Sequence, residues 1–365
     1  MTTDRTALFL EGLRVWFAQN HRPLPWKGEK DPYLIWLSEI ILQQTRVEQG
    51  MPYFERFRER FPEVQALADA EEDEVMKLWE GLGYYSRARN LHAAAKHIAY
   101  ELGGRFPTRY EDILALKGVG PYTAAAIASF AYDLPTAVVD GNVYRILARF
   151  WGMDTPIDTT AGKKAFAQLA QRLIEAAPAR PSQHNQAMMD FGAVHCKPKA
   201  PLCGQCPLQE HCVAFQQQRV DTLPVKQKKL VKKRRYFHYL LLNQGHHVYI
   251  RKRTGKDIWR NLYEFPLLEA GQVKLSPAEL KQHEYWQSLT NGQPAEVERV
   301  SPPRQQTLTH QYIQAVFWEV RVPEQAAAPD LDGLLKVERK NLSKFAFPKI
   351  IDWYLRDNSL YLNLV

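Results

Sequence analysis

The sequence predicts an all-α domain over residues 1–216, a basic linker at 217–235, and an α+β domain over 236–365. Three observations lead there. Helix-like stretches with short Gly- or Pro-containing connections fill the first part. After Arg235 the chain turns to aromatic and β-branched runs, YFHYLLL, HHVYIRKR, LYEFPLL and AVFWEVRV, which read as strands. A length of 365 residues suits two domains better than one.

The elements follow in order. Asp31-Pro32 reads as a helix start, with Asp as N-cap and Pro at the first helical position. YLIWLSEIILQQTRVEQG continues from it. Further helical stretches are Tyr53–Arg60, Glu72–Gly81, Ser86–Leu102, Tyr110–Leu116, Thr123–Ala131, Gly141–Trp151 and Lys163–Ala176. In the second domain Ser276–Leu289 is helical and lies among the strands.

Composition narrows the class. Hydrophobic residues make up 45% and charged residues 24%, which excludes a wholly disordered, collagen-like or coiled-coil chain. The longest apolar run, Ala124–Ala131, is too short to span a bilayer. The first twelve residues carry acids and lack a signal-like apolar core, so an intracellular, cytoplasmic protein is expected. The net charge of +8 is unevenly placed: residues 1–216 hold 24 basic and 25 acidic side chains, whereas 217–235 hold 8 and 1. The segment KQKKLVKKRR, Lys226–Arg235, is either a solvated linker or a phosphate-contacting one.

All four cysteines fall together, Cys196, Cys203, Cys206 and Cys212, spaced C-x6-C-x2-C-x5-C. Four thiolates so close suit a tetrathiolate zinc site or an iron–sulfur cluster, and spacing alone leaves both open. Lys197 and Lys199 lie in the six-residue loop, where they are solvated or face phosphate.

Gly118-Val119-Gly120 interrupts two helical stretches in LALKGVGPYTAAAIASFA. Such a turn leaves N–H groups at a helix start, which bind phosphate without reading sequence. Twenty residues on, Asp140 in VVDGNVYRIL precedes another helix, where an N-cap role is the ordinary one. Glu39 has Ile35, Trp36, Leu42 and Gln43 as its helical neighbours. A carboxylate on that mainly apolar face is desolvated and its pKa raised, which suits a proton donor as well as a buried, partner-satisfied Glu.

Together these features resemble the endonuclease III superfamily of helix-hairpin-helix DNA glycosylases, and within it the adenine DNA glycosylase (MutY) family. LPWKGEKDPYLIWLSEIILQQTRVE, WEGLGYYSRARNLH, LKGVGPYTAAAI, AVVDGNVYRIL and NQAMMDFGAVHC carry the resemblance. It implies an all-α helix-hairpin-helix domain holding a [4Fe–4S] cluster on Cys196, Cys203, Cys206 and Cys212. After the linker, VYIRKRTGKDIWRNLYEFP is similar to a Nudix-like domain, without the REXXEE core of pyrophosphohydrolases. That domain is expected to recognise 8-oxoguanine through Leu308-Thr309-His310, where the family often has Phe-Ser-His.

The resemblance further implies base-excision repair on double-stranded DNA containing adenine opposite 8-oxoguanine or guanine, by a monomer. Glu39 is expected to be the general acid and Asp140 the stabiliser of the sugar cation, with Tyr122 and Asn142 positioning them. Arg22, Leu24 and Trp26 would line the adenine pocket. Gln44, Thr45, Leu82 and Tyr84 would enter or line the DNA stack, and Gly118, Val119 and Gly120 would meet the backbone. Bifunctional relatives carry a Schiff-base lysine where this chain has Tyr122, which disfavours the alternative, an endonuclease III-like glycosylase/lyase acting on damaged pyrimidines.

Overall fold

The structure, a computed structural model, describes residues 5–20, 22, 24, 26–227, 231–290, 292–326 and 333–357. The chain packs as two compact units. One comprises Met1–Asp69 and Asn90–Lys229, the other Ala70–Arg89 and Leu230–Val365.

The helices, in chain order, are α1 (Arg5–Gln19), α2 (Pro32–Leu42), α3 (Val47–Arg60), α4 (Val64–Asp69), α5 (Glu72–Leu78), α6 (Ser86–Lys96), α7 (Tyr110–Ala115), α8 (Pro121–Tyr132), α9 (Gly141–Trp151), α10 (Thr160–Ala176), α11 (Pro181–Asp190) and α12 (Val213–Gln216). Of these, α5 and the start of α6 lie in the second unit. The Asp31 carboxylate accepts the Tyr33 N–H at 2.9 Å and Pro32 opens α2, so that helix starts where the sequence marks it. α3 begins earlier than expected and carries Pro52 inside it, giving up one backbone donor. α6 ends in a π-helical turn, His97–Glu101. The sequence reading has no counterpart for α1. Its Phe9, Leu13 and Trp16 are buried in one core with Leu147, Phe150, Phe166 and Phe191.

The second unit carries a mixed sheet. Its strands are β1 (Lys233–Gln244), β2 (His247–Lys252), β3 (Tyr263–Glu264), β4 (Leu267–Ala270), β5 (Glu296–Val300), β6 (Arg304–Thr307), β7 (Gln311–Arg321) and β8 (Leu334–Glu338). The path runs β3-β2-β1-β7-β5, with β4 on β1, β6 on β7 and β8 on β2. β1 and β7 pair in parallel from Lys233↔Gln311 to Asn243↔Arg321, and the other pairs are antiparallel. β1 is buried from Phe237 onward, which is why YFHYLLL is nearly continuous in apolar residues. LYEFPLL splits into β3 and β4 around Pro266, which has no N–H for a ladder. The expected helix 276–289 breaks at His283 into α13 (Pro277–Gln282) and α14 (Glu284–Thr290), and α15 (Lys349–Asp357) follows β8.

The basic segment is less free than its composition implies. Leu223 is buried, Ile157 N donates to Val225 O at 3.0 Å, and Gln227 N donates to Asp158 at 3.0 Å. Lys228, Lys229 and Leu230 lie outside the described residues. Lys233–Arg235 already belong to β1, and the Arg235 guanidinium is held between Asp257 and Glu269. Arg235 is therefore neutralised inside the protein and is no phosphate contact.

Candidate active site

A cavity of about 450 Å³ opens in the helical unit, within the usual range for a small-molecule site. Arg22, Leu24, Trp26, Glu39, Tyr122, Asp140 and Asn142 all line it. Sequence reasoning drew these residues from four separate segments, and the fold brings them to one place.

Glu39 sits on α2 among buried Ile35, Trp36, Ser38 and Ile40. Part of its surface faces the cavity, and packed atoms cover the rest. Burial therefore raises its pKa from 4.5 to about 7, and the nearby Asp140 charge adds to the rise. The Tyr122 hydroxyl, on the first turn of α8, faces the Glu39 carboxyl and offsets part of that rise. That hydroxyl also lies 3.9 Å from Met189 Sδ.

Asp140 is the N-cap of α9. One oxygen accepts the N–H groups of Asn142 and Val143, both at 2.8 Å, and the other accepts Asn142 Nδ2 at 2.7 Å. The sequence reading gives Glu39 an apolar setting and Asp140 a polar one. In the structure both are desolvated. Burial raises Asp140's pKa overall, while its N–H partners and Arg145 pull it back. Arg145 links Asp140's partner to the cysteine loop: Nη2 donates to Asn142 Oδ1 at 2.8 Å and to Gly192 O at 2.6 Å, and Nε donates to Cys196 O at 2.7 Å. Gly192 is required here, because a Cβ on it would stand 2.5 Å from Asn142 Cβ.

The sequence reading misses a pair of cavity residues, Lys27 and Asp190, and the Gln186 beside them. Lys27 pairs with buried Asp190 at 2.6 Å and donates to Arg22 O at 3.0 Å, while Gln186 donates to Asp190 at 3.0 Å. They pin the loop carrying Arg22, Leu24 and Trp26 to α11. All three lie inside quoted motifs, LPWK and NQAMMD, but nothing local marks them as partners.

Gly118-Val119-Gly120 joins α7 to α8 as expected. Gly118 has φ +80°, a conformation that favours glycine, and a Cβ there would meet Asn90 Cβ at 2.5 Å. Gly120 caps α8 and Pro121 opens it, leaving the first-turn N–H groups without helical acceptors. Gln44 follows α2, exposed, with φ +55°, and Thr45 N donates to Leu42 O at 3.1 Å. In the other unit Tyr84 also has positive φ, +49°, and its hydroxyl lies 2.8 Å from Thr309 Oγ1. Left-handed backbone is uncommon for Gln and an outlier for Tyr. Leu82 is buried. Leu308, Thr309 and His310 form the tip between β6 and β7, closed by Leu308 N donating to Gln311 O at 2.8 Å.

The four cysteines line one further cavity with Arg149 and His195. Among the described residues no three ligating side chains converge as they would on a single ion. Four sulfurs around one space offer a tetrathiolate ligand set. Burial raises the pKa of Cys203, Cys206 (to about 12) and Cys212, so their thiolate forms need bound cations. Donors are already aimed at the sulfurs. Arg149 Nη1 lies 3.4 Å from Cys196 Sγ, Leu208 N–H faces Cys206, and the Ala214 and Phe215 N–H groups face Cys212. The residues present fit a [4Fe–4S] cluster.

Known proteins match these regions. Residues 37–175 match the HhH-GPD superfamily of base excision DNA repair proteins, 196–212 the iron-sulfur binding domain of endonuclease III, and 238–357 the NUDIX domain. The chain is 38% identical over 261 residues to the adenine DNA glycosylase of Buchnera aphidicola subsp. Schizaphis graminum, spanning 71% of this chain and 74% of that one. It is 42% identical over 222 residues to the Homo sapiens adenine DNA glycosylase, 58% of this chain and 40% of that one. Among solved structures, a thermostable thymine-DNA glycosylase superposes with TM-score 0.54 at 27% identity, over 58% of this chain and 97% of that one. An endonuclease III–DNA complex matches with TM-score 0.50 at 21% identity, over 60% of this chain and 99% of that one, which shows a shared fold. No described helix is long and apolar enough to cross a membrane.

Proposed function

Because the chain belongs to the adenine DNA glycosylase family, an enzyme family of base-excision repair, we propose that it hydrolyses adenine from double-stranded DNA where adenine faces 8-oxoguanine or guanine, without a lyase step. The observation that carries this is the Glu39–Tyr122–Asp140 constellation in one cavity.

Adenine inside a duplex is out of reach, so the nucleotide is flipped into the cavity at a cost of a few kcal/mol, lower for a mispair. Trp26, Arg22 and Leu24, on the loop held by Lys27 and Asp190, receive the base. Adenine leaves well only when protonated. Glu39, with its pKa raised to about 7, is protonated in a substantial share of molecules at neutral pH and delivers that proton to N7. As the glycosidic bond breaks, the sugar gains oxocarbenium character and the Asp140 carboxylate stabilises it, as in glycoside hydrolysis. Glu39, now ionised, activates water. Tyr122 orients Glu39, and Asn142 holds Asp140 by two bonds. A phenol at 122 forms no imine, so the position that carries the Schiff-base lysine of bifunctional relatives offers no amine for a dedicated lyase step.

The cluster, on Cys196, Cys203, Cys206 and Cys212, serves as a structural clamp for its loop. The α8 N-terminus meets the DNA backbone, Gln44 and Tyr84 enter the stack, and Thr309 with His310 reads the oxidised base. The enzyme acts as an intracellular monomer. The test is excision on adenine:8-oxoguanine, adenine:guanine and damaged-pyrimidine duplexes, with and without alkali. Strand breaks on the adenine duplexes only after alkali are expected. Breakage without alkali, or preference for the pyrimidine duplex, would overturn the proposal.

A further inference from the structure

The second unit joins two pieces of chain far apart in sequence, Ala70–Arg89 and the sheet-bearing part. Their junction is densely bonded. Glu80 accepts the Phe347 N–H at 2.7 Å with one carboxyl oxygen and Lys77 Nζ at 2.5 Å with the other. Lys77 Nζ also donates to Phe345 O at 2.9 Å. Tyr263 donates to Asp73 at 2.8 Å, and Arg89 donates to Arg260 O at 2.7 Å. Trp79 is fully buried among them.

Glu80 is the part of this junction nearest the segment's tip. Its side chain is only 11% exposed, against 31% for Lys77, so the Phe347 N–H bond is the better shielded of the two. The turn Gly81–Gly83 follows directly and delivers Tyr84, whose hydroxyl meets Thr309. A strained, exposed tyrosine holds such a pose only when its base is fixed.

We infer that residues 70–89 and the sheet-bearing part act as one reading head, in which Glu80, knotted to Lys77, Phe345 and Phe347, is a positioning residue that sets Tyr84 against Thr309 and thereby the preference for adenine opposite 8-oxoguanine. This rests on the proposal above that Thr309 reads the oxidised base. Glu80 touches no substrate. Its carboxylate fixes the turn, and the turn fixes the hydroxyl pair.

The experiment uses the full chain and compares Glu80→Ala, Glu80→Gln, Lys77→Met and Thr309→Ala. Single-turnover excision is measured on adenine:8-oxoguanine and adenine:guanine duplexes, alongside Tm. Glu80→Ala is expected to lower the ratio of the two rates about tenfold, with the adenine:guanine rate within about twofold of the parent. Glu80→Gln keeps an acceptor for Phe347 N–H and should restore most of the ratio. Lys77→Met loses one strand of the knot and should fall between them, a readout that survives if Glu80→Ala folds poorly. Glu80→Ala/Thr309→Ala should fall no further than Thr309→Ala alone, since both act through one contact. If Thr309→Ala collapses the ratio while Glu80→Ala and Lys77→Met lower only Tm, the positioning role is overturned and the lesion reading stands. If Thr309→Ala leaves the ratio intact, the underlying reading fails, and the inference with it.

Discussion

Glu39→Gln tests the proposed acid through both stability and rate. Folding raises the Glu39 pKa from 4.5 to about 7, chiefly by burial. The unfolded chain therefore releases this proton first as pH rises. Between about 4.5 and 7 the unfolded state binds fewer protons than the native state, so stability falls with pH across that window and is level above it. At about 1.4 kcal/mol per pH unit, the full cost of holding the ionised carboxylate is about 3 kcal/mol. The cavity-facing side of Glu39 keeps some hydration, so about 1–3 kcal/mol is the expected range. Glutamine occupies nearly the same volume and carries no charge. The variant should match the parent in stability near pH 5 and exceed it by about 1–3 kcal/mol at pH 8, read by urea unfolding at both pH values. Excision should be lost at either pH. The parent's single-turnover rate should fall above pH 7 as the acid loses its proton. A stability difference that is constant from pH 5 to 8, or a Gln variant less stable at pH 8, would refute the buried-acid argument.

Three further outcomes are expected. Asp140→Asn should fold and bind DNA while single-turnover excision falls on the order of 10³-fold, because the charge facing the sugar cation is gone and an amide N–H now opposes Asn142 Nδ2. Arg149→Met should leave the Lys197 and Leu223 carbonyls without a buried donor, lowering stability by about 1–3 kcal/mol and speeding loss of the cluster's visible absorbance under chelator. Gly118→Ala should cost about 1–2 kcal/mol from its φ of +80° and its clash with Asn90, and should weaken general DNA binding measured by a salt titration.

Features governed by near neighbours in sequence were legible. The Asp31-Pro32 start of α2, the apolar face around Glu39, the Gly-Val-Gly turn and the four cysteines are local patterns, and each appears as read. The two-domain character was legible for the same reason, because helical and strand periods differ over a few residues. Contacts between distant segments were not. EEDEVMKLWEGLGYYSRARNLH reads as a piece of the helical domain, and nothing in it announces that Asp73, Lys77 and Glu80 bond to residues beyond 260. Charge counting misled at Arg235, which looks like one more cation in KQKKLVKKRR until Asp257 and Glu269 are seen around it.

Arg145 and Arg149 show why buried polar chemistry resists sequence reading. Four residues apart on α9, they look like a solvated helical face, yet they are 7% and 3% exposed. A buried guanidinium survives only where acceptors already wait for it, since an unpaired charge out of water is costly. Here the acceptors are carbonyls in and around the cysteine-bearing stretch: Gly192, in a π-helical turn, and Cys196 for Arg145, and Lys197, Pro198 and Leu223 for Arg149. The same helix carries Asp140 at its N-cap. The two arginines thus satisfy that stretch's backbone and hold it to the helix that places the carboxylate. The cysteine-bearing stretch and the carboxylate share one support, α9, through Arg145 and Arg149.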